Sequence, residues 1–567
     1  MTRPFDVYID GEGYRLNRIF GGRAYQPEIQ PQFLEQQGAF WTDWYQRSWH
    51  RGERVERILS KALLEGGVYH TAEGVNVSKW GRLTLQPALT LSLAVSSTTM
   101  PMTVSADGST VFVGFSVAPH LRMAKRNTST NVWEWTELAG AGMEADTTDL
   151  ITVGSTYYGI QASSVVTSTN GTLWTVVEKP TSGNYTDAQA LCYLNGDLYV
   201  LRPTQVFNHT QNEVVASWGG TVMTGYQENV YWGSDHRLWR YNGQASYLYT
   251  SFPLGFNITA LCEYRAVLLV LGYFKVKGGY KGAVYYIVAG NDAHLYSLGD
   301  YSEDHRIYAA TGADDALFIA SPDRGGVDRY DLSASGLSSG PAWGSHGSIP
   351  FKGMAYADGA LFVGRCDGVT ATDGVYVCEI EAPAAWVTSG YLTTASWDFD
   401  YPTDLKVFKS IAVYHHALLS GESFKVEYSL DDGSTWKLAG VSARPASTSR
   451  EFSLDNARAH DLKIKVSVAG IGSGTPELNA ILARAVPIQG AKWQWTMELL
   501  VDKVKTKRGT GLPARLAAIY NSNDKGAVLS FSDLYGDTHA VVIKDLTPNH
   551  ASLRSKYARI HVVLQEV

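Results

Sequence analysis

Leu191-Cys-Tyr-Leu-Asn-Gly-Asp-Leu-Tyr-Val200 reads as a short apolar strand, a tight turn and a second strand with an aromatic centre. Asn-Gly supplies the two positive-φ residues that a two-residue hairpin turn requires. The template recurs at Val104-Ser-Ala-Asp-Gly-Ser-Thr-Val-Phe-Val113 and at Met354-Ala-Tyr-Ala-Asp-Gly-Ala-Leu-Phe-Val363. Weaker copies lie between. The aligned centres are Phe112, Tyr158, Tyr199, Tyr231, Leu269, Phe318 and Phe362. Their mean spacing of about 42 residues falls in the roughly 40 to 50 residue range of propeller blades.

Two more strand-like segments follow a copy, as in Ser164-Val-Val-Thr-Ser-Thr-Asn-Gly-Thr-Leu-Trp-Thr-Val-Val177 and His236-Arg-Leu-Trp-Arg-Tyr-Asn-Gly-Gln-Ala-Ser-Tyr-Leu-Tyr249. Four strands make one blade. A lone four-stranded sheet exposes both faces, so the units must pack side by side and close a ring. The pattern predicts a mainly β protein with a six- to seven-bladed β-propeller over residues 96–390.

Working outward, residues 1–95 read as an N-terminal arm or docking segment. Phe40-Trp-Thr-Asp-Trp-Tyr-Gln-Arg-Ser-Trp49 concentrates aromatics that would anchor the arm onto the propeller. Val55, Ile58, Leu59, Leu63 and Leu64 then follow at near-helical spacing, which fits a short helix or an irregular segment. Residues 391–487 alternate apolar and polar between turns and predict a β-sandwich. Residues 488–567 open with the strand Trp493 to Val501 and carry a helical pattern from Pro513 to Tyr520. Three more strands complete a small α+β domain.

The chain has 567 residues, 45% hydrophobic and 18% charged, with 12% aromatics, a composition that fills several cores and argues against disorder. Apolar runs such as Ala266 to Tyr273 are too short to span a membrane as a helix. Met1 to Asp10 lacks a secretory pattern. Cys192, Cys262, Cys366 and Cys378 are too few and too scattered to staple the fold, and they read as buried thiols. The net charge of -7 is uneven, since residues 96–390 hold 16 Lys+Arg against 27 Asp+Glu. An acidic propeller repels phosphate backbones, so nucleic acid is not an expected partner.

Chemistry-bearing patterns are sparse. Neighbouring His415 and His416 would point to opposite faces of a strand and could not share a metal. The sequence has no phosphate-cradling loop and no His-Glu-x-x-His. Ser429-Leu-Asp-Asp-Gly-Ser-Thr-Trp436 matches the Asp-box, in which Asp431 caps a hairpin turn, Ser429 and Gly433 shape it and Trp436 plugs the core. Ser168-Thr-Asn-Gly-Thr-Leu-Trp174 is a shortened echo. The box invites comparison with sialidases, but the chain lacks their Arg-Ile-Pro motif. No catalytic residue, cofactor or metal ligand is assigned, and the chain is read as a non-enzyme. Trp343, Trp386 and Trp397 are the candidate carbohydrate or partner contacts, because aromatic rings stack on sugars.

The order of parts then resembles minor tail proteins of long-tailed bacteriophages. The likeness rests on Trp49-His-Arg-Gly52, Tyr69-His-Thr-Ala-Glu-Gly-Val-Asn-Val77, Gly81-Arg-Leu-Thr-Leu-Gln-Pro87, Phe424 to Trp436, and Arg559-Ile-His-Val-Val-Leu-Gln-Glu-Val567. It implies a virion structural protein of the tail tip or baseplate, assembled in host cytoplasm in several copies about the tail axis. Its partners would be other tail proteins and a host-surface glycan or receptor. A carbohydrate-recognising attachment protein is the second expectation and a propeller glycan hydrolase the third.

Overall fold

The computed structural model describes residues 6–10, 12–16, 25–29, 42–49, 52–53, 57–58, 67–78, 81–138, 145–161, 164–177, 187–276, 279–287, 294–296, 306–313, 316–321, 326–333, 336–343, 351–366, 373–381, 383, 385–399, 405–488, 493–502, 528–533, 537–549 and 557–566. Among them every regular element is a strand.

The repeat is realised as seven four-stranded antiparallel sheets, numbered I to VII from Met102 onward. All seven aligned centres lie on the second strand of their sheet, from Phe112 on Thr110–Gly114 to Phe362 on Ala360–Arg365. Side chains alternate across a strand, so each centre faces the following sheet while its sequence neighbours face the preceding one. Phe112 enters a core with Leu150, Val166 and Trp174 of sheet II, whereas Val111 and Val113 meet Ala355 and Val375 of sheet VII. Tyr231 likewise packs toward Tyr285 of sheet V and toward Phe252 in the connection leading to it, and Phe318 toward Met354 and Tyr376 of sheet VII. The first strands contact one another in cyclic order and Phe351–Ala357 returns to Met102–Val104. This is a β-propeller.

Its closure departs from the expected boundary at residue 96. Thr90–Ala94, assigned by sequence to the N-terminal arm, pairs with Gly374–Glu379 and is the fourth strand of sheet VII. Arg126 of sheet I reinforces the same seam. It bonds the Asp358 carboxylate at 3.2 Å, pairs with Glu379, and its guanidinium lies 5.5 Å from the Trp133 ring centre. Trp133 Nε1 donates to Glu379 at 3.0 Å.

A five-stranded sheet (Lys437–Ser442, Ser423–Ser429, Lys463–Ala469, Ser389–Thr393, Thr71–Glu73) and a four-stranded sheet (Thr42–Gln46, Leu478–Ile488, Leu405–His415, Ser449–Ala459) share one core. Trp44 and Trp49 are fully buried there with Trp397, Phe399 and Phe408. Trp44 and Trp49 of the aromatic run therefore do not anchor an arm to the propeller, because their indoles fill this second core; Trp44 stacks on Phe399 at 5.0 Å.

Val7–Ile9 and Glu12–Leu16 join Trp493–Asp502, Leu529–Ser532, Thr538–Asn549 and Tyr557–Glu566 in one antiparallel sheet. Glu12–Leu16 also pairs with Trp493–Asp502, so six strands close on themselves around Val7, Ile9, Trp495, Phe531, Val541 and Val562. The described strands of residues 1–95 are thus distributed among three bodies. The helix expected over Glu53 to Leu64 is interrupted by the strands Gly52–Glu53 and Arg57–Ile58, the rest of it lying outside the described residues. The helix expected over Pro513 to Tyr520 also lies outside them.

The bodies are nested in the sequence. Strands of residues 7–29 and 493–566 enclose those of 42–73 and 389–488, which enclose the propeller strands of 90–379.

Candidate functional site

Two antiparallel passes of chain connect the propeller to the two-sheet body. Thr71–Glu73 pairs with Ser389–Thr393, Ala88 N–H donates to Ala385 O at 2.9 Å, and Val387 N–H donates to Gln86 O at 3.0 Å. Gly74 and Gly390 let the passes touch: a Cβ on Gly390 would lie 2.6 Å from Gly74 O and 2.7 Å from Glu73 O. No larger residue fits such an approach.

Beside this neck lies a cleft of about 770 Å³. Its floor carries Glu73, Tyr391, Ser423, Lys425, Lys465 and Ser467, and its wall Ala88, Leu89 and Val387. The Lys465 ammonium sits 4.5 Å from the Tyr391 ring centre, and Lys425 pairs with Glu427 at 2.7 Å. Sequence reasoning missed this site. Its residues come from five strands spread over residues 71 to 469 and form no motif.

The Asp-box forms as a turn. Ser429 Oγ donates to Asp431 at 2.6 Å and accepts from Gly433 N–H at 2.8 Å, while Asp431 accepts Thr435 N–H at 2.8 Å and Thr435 Oγ1–H at 2.6 Å. Hydrogen bonds from Ser429 and Thr435 lower the Asp431 pKa to about 2. Gly433 adopts φ +93. Trp436, however, is only half-buried. The plug expected of it is correct for the echo instead: Trp174 is 2% exposed and its Nε1 donates to Gly171 O at 3.1 Å. Ser105 and Asp107 build a third such turn, with Asp107 accepting Ser109 N–H at 3.1 Å.

Of the three tryptophans chosen as contact residues, Trp386 and Trp397 meet at the two-sheet core. Trp397 is fully buried in the two-sheet core, which rules it out as a sugar contact. Trp386 is half-buried against that core, and its backbone N–H donates to Gly472 O at 2.9 Å. Trp343 ends the strand Gly336–Trp343, and its side chain lies outside the described residues.

His415 is buried, its ring nitrogens 2.8 Å from His416 O and 3.0 Å from Ser442 Oγ, whereas His416 faces outward near Glu477. Among the described residues no group of three His, Cys, Asp or Glu side chains could hold a metal ion. None of the four cysteines is in a disulfide; Cys192, Cys366 and Cys378 are buried, and Cys262 is half-buried rather than buried as expected. Cys192 and Cys262 sit opposite the aligned centres Tyr199 and Leu269, and burial pushes both thiols up to about 12.

The chain matches no protein-family model and no curated protein sequence. Among solved structures it is similar to propeller domains at low identity. The WD40 domain of Neurospora crassa Pan2 is 8% identical with a TM-score of 0.37, over 51% of this chain and 90% of that one. The propeller domain of the Trilobed protease from Pyrococcus furiosus is 11% identical with a TM-score of 0.35, over 51% and 97%. YCF48 bound to D1 peptide is 9% identical with a TM-score of 0.38, over 54% and 96%.

Proposed function

We propose that the chain is a structural protein of a bacteriophage tail, built as a seven-bladed propeller, a β-sandwich and a six-stranded barrel, with the sandwich and barrel serving as the attachment end. The observation that carries this reading is the nesting: the propeller is held on two paired passes of chain by bodies assembled from both flanks of the sequence. Such a double tether suits a domain that must project in a fixed direction, because a single flexible linker would leave domain motion as the default. The sequence resemblance supplies the tail as the assembly. Mass spectrometry and electron microscopy of purified particles test it. The chain should be found at the tail tip or baseplate in several symmetry-related copies, and particles that lack it overturn the reading.

A further inference from the structure

The floor of the neck cleft is ordered by strand register. One row runs Val441, Lys425, Ser467, Tyr391 and Glu73 across all five strands, at a step of about 4.8 Å per strand. Two residues along the strands, Glu427 stands opposite Lys465. In the other direction Ser423 and Ser389 flank Ala469.

Polar groups that line an open cleft without partners in the fold are available to a ligand. Lys465 makes the ring contact with Tyr391 and no hydrogen bond or ion pair among the described residues. The Glu73 carboxylate and the hydroxyls of Ser389, Ser423 and Ser467 are also unpaired among them. The floor therefore offers an anionic acceptor, a cationic donor and three hydroxyls that can do either. Its charge is balanced, Lys425 and Lys465 against Glu427 and Glu73, so neither an anion nor a cation has an electrostatic advantage there. Leu89, Ala88 and Val387 add an apolar wall. A ligand that presents many hydroxyls on one side and C–H groups on another fits all of this, and the volume falls in the range of small-molecule sites.

The geometry points to a binding site for a neutral saccharide in this cleft, with Glu73 accepting from sugar hydroxyls, Lys465 and the serines donating to them, and the Leu89–Val387 wall meeting the C–H face. The assignment does not depend on the chain residing in a tail.

The test applies the whole protein to an array of immobilised neutral and anionic oligosaccharides, followed by titration calorimetry with the best neutral one. Glu73→Gln, Lys465→Met and Ser467→Ala are compared with Lys437→Met, an exposed lysine at the edge of the same sheet. Each cleft variant should weaken binding about tenfold or more, with thermal unfolding unchanged, while Lys437→Met binds as the original protein does. The variants lie on two separate strands, Thr71–Glu73 and Lys463–Ala469, which guards against one misfolding. Retention of no neutral oligosaccharide, equal binding by all folded cleft variants, or retention of anionic glycans alone overturns the assignment.

Discussion

The Asp149 carboxyl group accepts the Leu191 backbone N–H at 2.7 Å, joining sheet II to sheet III, and its other oxygen accepts the Leu150 N–H at 2.9 Å. Burial pushes its pKa from 3.8 up to about 7 in spite of these two donors. A raised folded-state value means that the native chain holds a proton the unfolded chain has released. The stabilisation is whole below 3.8 and is lost as pH rises through about 7. Asp149 is half-buried as a residue, so solvent screens part of the effect, leaving on the order of 2 kcal/mol. Urea unfolding at mildly acidic and mildly alkaline pH should show Asp149→Asn with a flatter pH dependence than the original protein. The amide loses one acceptor at every pH, so the slope is the reading.

Arg126→Ala should loosen the seam between sheets I and VII. It strands the Glu379 carboxylate, leaving it only the Trp133 N–H, and removes the bond to Asp358. Breaking a largely buried pair at one partner costs about 3 kcal/mol. A double-mutant cycle with Glu379→Gln checks it, since the coupling vanishes if the two side chains act independently.

Gly390→Ala should disturb the neck specifically. The new methyl group would overlap Gly74 O and Glu73 O, which are backbone atoms and cannot rotate away. Relief requires the two passes to separate, at about 2 kcal/mol. Limited proteolysis should then cut at the neck while the propeller fragment stays resistant.

Cys192 and Cys262 should resist alkylation. With their thiols raised from 9.0 to about 12, the reactive thiolate at a given neutral pH is about a thousandfold scarcer than in an ordinary cysteine. Iodoacetamide labelling followed by mass spectrometry should modify both only after denaturation.

Ala266→Gly should stabilise the protein by about 1 kcal/mol, because Ala266 sits at φ 60, a left-handed conformation unfavourable to any residue with a Cβ. Thermal unfolding measures it.

That last position shows where the sequence stopped speaking. Hairpins with Asn195-Gly196 or Asp358-Gly359 at their turns carried the repeat, because these residues adopt positive φ readily. Gln227-Glu228 and Arg265-Ala266 adopt the same turn without any such signal. The aligned centres were legible because each must fill the gap to the next sheet. Thr90–Ala94 was not, because its partner strand Gly374–Glu379 lies almost three hundred residues away and pairing at that distance leaves no local pattern. Trp397 failed as a contact residue for a related reason: ring chemistry suits a sugar and a core equally, and only burial separates it from a binding residue. The neck cleft combines both difficulties, since Glu73, Tyr391 and Lys465 are unremarkable singly and meaningful only in register.

The enclosure of one body's strands by another's also sets a timetable. The propeller can shut once Gly374–Glu379 has been made, the two-sheet core once Leu478–Ile488 follows, and the outermost sheet only after Tyr557–Glu566. At about 5 to 20 residues per second, Val7–Ile9 and Glu12–Leu16 wait on the order of a minute, with their apolar faces bare, for the strands that cover them. Completion runs from the innermost part of the sequence outward, and the part made first is finished last.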